Sequence, residues 1–200
     1  MTFFVRRLLI AAPSALVLAA GALLAAPGAQ ADLGSVLNLS ACNSNALSQT
    51  FLPWLDQSNY ELAPGGTFAD SSWSLSNGAA IVPGAEPWGV PGSVSPSSLS
   101  LPEGASAESP ATCVDAAYPT IRFFVAGTGI VGVSVIYNGT EIPSGQVAAH
   151  GAWAPGPVTV TGSAITGALN GGTAQVSLRL TALSGNPRVS DVFIDPWRTG

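Results

Sequence analysis

The run Thr120–Tyr137 (TIRFFVAGTGIVGVSVIY) constrains the fold more than any other stretch of this chain. Beyond the apolar N-terminus it is the densest concentration of β-branched and aromatic residues, which fit a pleated, buried surface. Ile121, Phe123 and Val125 share one face of its first half. Val131, Val133, Val135 and Tyr137 share one face of its second half, at period two. Gly127-Thr128-Gly129 between them reads as the short connection of a β-hairpin. Phe124 and Ile136 put apolar groups on the other face as well. Either that face is covered too, or it carries an exposed patch.

The flanking sequence repeats the same signature in shorter pieces. Thr67–Asp70, Ser72–Ser76, Ala79–Val82, Ser98–Leu101, Thr112–Val114, Gln146–Ala149, Val158–Thr161, Ala174–Ala182 and Val189–Ile194 read as strands. Pro64-Gly65-Gly66, Asn77-Gly78, Asn138-Gly139 and Asn186-Pro187 read as turns, Asn77-Gly78 as a hairpin turn. Residues 83–96, 102–110 and 150–157 read as loops, and Trp73 as core. Ala174–Ala182 alternates cleanly, with Val176, Leu178, Leu180 and Ala182 on one side and Gln175, Ser177, Arg179 and Thr181 on the other. Ser35–Leu52 fits neither period and reads as an extended lead-in with one helical turn. Many short strands with almost no helix predict an all-β fold, a two-sheet antiparallel β-sandwich of jelly-roll type.

The first 31 residues read as a signal peptide. Arg6-Arg7 precedes an apolar run from Leu8 to Ala26, and Ala29-Gln30-Ala31 fits a small-x-small cleavage site, so the mature domain is expected to span 32–200. The apolar length alone would also suit an uncleaved anchor; the cleavage triplet favours removal, and the expected location is extracellular, with no stable membrane anchor. The two arginines suit general secretory or twin-arginine export. Without the leader the chain keeps four arginines and no lysine against eleven carboxylates, a net charge of −7. That balance argues against nucleic acid or an anionic membrane as partner. The two cysteines, Cys42 and Cys113, are expected to form one disulfide in an oxidising compartment. Closing a loop of that length stabilises by up to about 4 kcal/mol in the chain-entropy picture.

Little in the sequence points to catalysis. His150 is the sole histidine and has no recognisable triad partner. No phosphate loop, dinucleotide fingerprint or nucleophile elbow occurs, and no catalytic residue is assigned. No cofactor is expected apart from a structural calcium ion, for which Asp191 and Asp195 flanking Phe193 are the candidate oxygen ligands. The tryptophans are more informative. Trp54, Trp88 and Trp197 each follow a proline, and Trp153 lies two residues before Pro155, so four of the five sit in loop contexts. An indole presents a flat apolar face with a polar N–H, suited to a sugar ring or to another protein. Trp54, Trp88 and Trp153 are the candidate ligand-binding residues; capping the open ends of a sandwich is the competing role.

Several segments taken together resemble a group of small exported proteins of high-GC Gram-positive bacteria, whose function is not established. They are Cys42, Phe51-Leu52-Pro53-Trp54, Tyr60-Glu61-Leu62-Ala63-Pro64-Gly65-Gly66, Trp73-Ser74-Leu75-Ser76-Asn77-Gly78-Ala79, Leu99-Ser100-Leu101-Pro102, Ser109-Pro110-Ala111-Thr112-Cys113-Val114 and Asp191-Val192-Phe193-Ile194-Asp195-Pro196. A Gly-Gly-x-Phe segment, a Trp strand and an Asp-rich closing strand are also similar to galactose-binding-like jelly rolls and carbohydrate-binding modules. The expected jelly roll, the export signal and the loop tryptophans point to a secreted, non-catalytic module for an extracellular or cell-wall glycan. The alternatives are a secreted or envelope protein that binds another extracellular protein, and a glycan-active hydrolase or lyase, which needs two carboxylates close together in a cleft.

Overall fold

The last strand organises the fold. In a computed structural model, which describes residues 46–90, 93, 96–115, 120–161 and 173–195, a 23-residue strand runs from Thr173 to Asp195. The described residues form ten strands: β1 (Glu61–Leu62), β2 (Ser74–Ser76), β3 (Ala80–Pro83), β4 (Ser97–Ser100), β5 (Ser106–Glu108), β6 (Thr112–Asp115), β7 (Thr120–Tyr137), β8 (Thr140–Pro155), β9 (Thr159–Val160) and β10 (Thr173–Asp195). All pairings are antiparallel. One edge of β10 meets β7 from Ser177–Ile136 to Asp195–Thr120, while β5, β4 and β1 pair with β10 in turn at Arg179–Thr181, Arg188–Val189 and Phe193–Ile194. β6 pairs with its first four residues. β2 adds to β5, β3 to β4, and β8 and β9 to the free edge of β7. The protein is all-β, as the sequence predicts, and the described strands join into one hydrogen-bonded network.

Thr120–Tyr137 is not a hairpin. It is one continuous strand of 18 residues, and Gly127-Thr128-Gly129 lies in its middle. Gly127 and Gly129 take left-handed backbone (φ 81° and 120°), as does Gly185 opposite them on β10 (φ 68°). At Gly129 a side chain is impossible: a Cβ would lie 1.9 Å from the Ser184 carbonyl oxygen. At Gly185 it would lie 2.3 Å from that of Thr128. Gly151 of β8, with φ 99°, stands level with them, opposite Gly127. Turn-like residues therefore line up across three strands and bend the sheet without ending it. The same explanation corrects two neighbouring expectations. Asn186-Pro187 lies inside β10, and residues 150–155 belong to β8, not to a loop.

Other differences follow from partner choice. Asn77-Gly78 does form a tight turn, with Ala79 N–H donating to Ser76 (3.1 Å), but the strands on either side diverge, β2 to β5 and β3 to β4. Thr67–Asp70 is not a strand; Phe68 has φ 55° and its N–H closes a turn onto Gly65 (2.9 Å). β5 occupies a segment that reads as loop. The alternation in β10 holds: Val176, Leu178, Leu180 and Ala182 are buried. They join Trp73, Leu99, Leu101, Phe123, Val131, Val133 and Val135 in the main core. The expected lead-in is described only from Ala46 and includes a short 3-10 turn, Leu52–Trp54. Cys42, Trp197 and the segment expected to be a signal peptide lie outside the described residues, as does the side chain of Cys113.

Candidate functional site

The outer face of β7 carries a second, smaller core. The residues alternating with the main-core positions of β7, β8 and β10 point away from it, and at one end they are aromatic. Phe51, Tyr60, Val90, Phe124 and Phe193 are all buried there, with Trp54, Leu62 and Trp153 packed against them. Two loops roof this cluster, 46–60 and 84–90. Phe124 is the centre, with ring centroids 5.2 Å from Phe51, 5.4 Å from Trp54 and 5.4 Å from Trp88. Trp54 and Trp88 meet edge to face at 5.1 Å, within the favoured range for aromatic pairs. The apolar outer-face residue Phe124 is therefore covered, and Ile136 at the far end of β7 is half-buried.

The three tryptophans singled out by their loop contexts thus converge on one cluster. Trp88 is 44% exposed, Trp54 and Trp153 are half-buried, and Trp73 is in the main core, as expected. Leu52 and Leu55 extend the apolar surface beside Trp54; Leu55 is 91% exposed with left-handed backbone (φ 65°). An exposed leucine in that conformation has no packing reward to offset its steric cost.

Each roof loop is tied to the sheet by charge. Arg122, in β7, lies 4.3 Å over the Phe51 ring, donates through Nη1 to Asp56 (2.6 Å) and through Nε to the Gly156 carbonyl (2.8 Å). Asp56 also accepts from the Tyr60 hydroxyl (2.7 Å) and the Ser58 amide (3.0 Å). Burial works to raise the Asp56 pKa, but these donors outweigh it and leave the carboxyl below its ordinary value. Burial and the bond to Asp56 push the Tyr60 phenol well above its usual range. In the second loop, Glu86 accepts from the amides of Trp88 and Val90 (3.3 Å for Val90), so its carboxylate folds the chain that presents Trp88.

Asp191 braces the same loop. It sits at a bulge in β10 with φ 51° and is buried, and its carboxylate accepts from the Ser93 and Ser190 hydroxyls, the latter at 2.6 Å. Burial raises its pKa, the serine bonds lower it, and the nearby Glu86 charge raises it further, for a net upward shift. Asp195 lies at the end of β10, opposite Thr120. Among the described residues no group of three or more His, Cys, Asp or Glu side chains could hold a metal ion. Glu86 and Asp191 are two neighbouring carboxylates, but both are buried and their oxygens are taken up by amides and hydroxyls of the loop. That arrangement holds the loop to β10.

The elements that sequence reasoning missed are the ones beneath and beside the indoles: Phe51, Phe193, Arg122, Glu86 and Arg188. Only Phe124 gave a signal, as an apolar residue on the wrong face of its strand. The others depend on β10 lying against β7, which no local pattern announces. Arg188 Cζ stands 5.6 Å from the Trp153 ring and ties β10 to the end of β3 and β4.

No protein-family model matches the chain, and no curated protein matches it. Solved structures do resemble it, at low identity. TmCBM61 in complex with β-1,4-galactotriose is 19% identical with a TM-score of 0.44, covering 70% of this chain and 99% of that one. CsCBM6-3 from Clostridium stercorarium in complex with cellobiose is 12% identical with a TM-score of 0.41, covering 62% and 87%. The K1 cleaved adhesin domain of Lys-gingipain from Porphyromonas gingivalis W83 is 11% identical with a TM-score of 0.45, covering 70% and 98%. The chain is thus loosely similar to carbohydrate-binding modules in solved structures.

Proposed function

We propose that the protein is a secreted, non-catalytic glycan-binding module, a two-sheet sandwich that uses the Trp54–Trp88–Trp153 cluster as its binding platform. The observation that carries the reading is the exposed Trp88 ring, held edge to face against Trp54 and seated on buried Phe124. A loop residue with that much apolar surface needs a reason to be held rigid in water. A fixed indole loses little conformational entropy when a sugar ring stacks on it. The test is affinity electrophoresis or calorimetry against soluble polysaccharides, with Trp54→Ala and Trp88→Ala beside the parent protein. Binding by the parent and its loss in both variants is the expected result. Equal binding by parent and variants, or none to any glycan, refutes the reading.

A second reading, a docking site for another extracellular protein, is favoured by Leu52 and Leu55, 48% and 91% exposed beside the same platform. Glycan binding that survives Leu55→Ser but is lost in Trp88→Ala separates the two in favour of sugar.

A further inference from the structure

We infer that Arg188, stacked on Trp153, is an anion-reading subsite, so that the ligand is a neutral glycan carrying an isolated anionic substituent, a uronate carboxylate or a phosphodiester. This rests on the glycan reading above and adds to it the charge of the ligand.

The mature chain carries four arginines, Arg122, Arg179, Arg188 and Arg198. Arg122 pairs with Asp56, and Arg179 with Glu108 (2.7 Å) and Glu141. Arg198 lies outside the described residues. Arg188 differs in kind. Its acceptors are all neutral: the carbonyls of Pro83 (2.7 Å) and Gly84 (2.7 Å), and the Ser98 hydroxyl (2.6 Å from Nη2, 3.1 Å from Nε). No described carboxylate forms an ion pair with it, and no described residue engages Nη1.

A guanidinium held in this way is preorganised. Three acceptors fix its plane through Nε and Nη2, and Trp153 lies 5.6 Å from Cζ. Among the described residues no carboxylate pairs with the charge, and Nη1 stays available to a carboxylate or phosphate oxygen. Little side-chain entropy is left to lose when an anion binds there.

Position supports the same conclusion. Trp153 packs against the aromatic cluster that seats Trp54, so platform and cation are contiguous. Arg188 pairs with Ala126 of β7, and two residues further along the same face Thr128 stands opposite both His150 and Asn186. All three are exposed, a polar row crossing three strands beside the cation. About 7 Å separates successive same-face positions along a strand, so a sugar at Trp153 has hydroxyl-binding partners within reach.

Overall charge limits the ligand further. The mature chain at −7 repels an extended polyanion. A local cation in such a field suits a single charged group on an otherwise neutral chain.

The test uses four soluble probes in calorimetry at low and high salt: a neutral gluco- or xylo-oligosaccharide bearing one glucuronic acid, the same compound after carboxyl reduction, the same neutral oligosaccharide bearing one phosphodiester, and polygalacturonate. The parent protein is expected to bind one of the singly charged probes about tenfold more tightly than the neutral one, with the gap narrowing in high salt. Whichever charged probe wins identifies the source of the anion. Arg188→Gln should remove the preference for the charged over the neutral probe, and Arg188→Lys should keep part of it. Equal affinity of the parent for charged and neutral probes overturns this inference and leaves the glycan reading intact. So does tightest binding to polygalacturonate, or a preference unchanged in Arg188→Gln. Binding to no probe at all overturns both. The parent comparison needs no variant, so poor folding of Arg188→Gln would not rescue the idea.

Discussion

Phe124→Ala tests whether the outer-face cluster is a true second core. The ring is fully buried and touches three other aromatic rings at centroid distances of 5.2 to 5.4 Å. Truncating a buried phenylalanine typically costs about 3–5 kcal/mol, the transfer term and the residual cavity together. Most domains hold about 5–15 kcal/mol in total, so the variant should still fold, with a clearly lower denaturation midpoint. Phe123→Ala, one residue earlier, empties the main core instead and should cost a similar amount. The two variants differ in what else they move. Loss of the Phe124 ring removes the floor under Trp54 and Trp88, so near-ultraviolet circular dichroism and acrylamide quenching of tryptophan should change. Phe123→Ala should leave those signals close to the parent. The assay is urea unfolding followed by tryptophan fluorescence, with near-ultraviolet spectra recorded in the absence of denaturant. A cost below about 1 kcal/mol for Phe124→Ala, with the Trp54–Trp88 signals intact, would refute the second core. In that case the roof loops would be held by their charged ties alone.

Three further outcomes follow from the same structure. Gly129→Ala should unfold the protein or cost more than about 3 kcal/mol, because its Cβ would strike the Ser184 carbonyl oxygen at 1.9 Å. Gly139→Ala, in an open turn with φ 75° and nothing within 4 Å, should cost only about 1 kcal/mol, and comparing their midpoints checks this. Asp191→Asn should raise the thermal midpoint by a few degrees at neutral pH. The folded-state pKa of Asp191 is raised, so its ionised form is disfavoured in the native state, and the stability it forgoes returns as pH falls through that value. The gain from Asn should therefore shrink in acid; a gain independent of pH would contradict it. Asp56 has the opposite sign. Its folded pKa is lowered, so its contribution is complete above the unfolded value of about 3.9 and is lost as pH falls through the folded one. Amide hydrogen exchange in residues 51–60 should speed up selectively in acid, and Asp56→Asn should abolish that pH dependence.

How much of this was legible in the sequence depends on the range of the interaction concerned. Alternation within β10 and burial of Trp73 were readable because side-chain period and face are local properties. The all-β class followed from the same local pattern. The ladder partners were not readable. Gly127-Thr128-Gly129, Gly151 and Gly185-Asn186-Pro187 carry ordinary turn chemistry, and only their alignment across three strands turns them into a bend. The Asn77-Gly78 turn was correctly placed, but nothing nearby shows that its two arms join different neighbours. At the candidate site the indoles were conspicuous because proline contexts set them apart from strands. The cation beside them was not, since Arg188 resembles any other strand arginine until its acceptors are seen to be neutral.

That β10 follows all of its partners in the sequence has a consequence for the order of events during synthesis. β1, β4, β5 and β6, and one whole edge of β7, are all completed by residues 173–195. Emerging from the N-terminus, the chain can close the β7–β8 hairpin early through its Asn138-Gly139 turn. The remaining partners must wait for the last strand. Until then the open edge of β7 is a template for pairing with another chain. A product truncated before Thr173 is therefore expected to aggregate rather than persist as a smaller folded domain. Such a chain is best kept unfolded until residues 173–195 are free, a requirement set by topology alone.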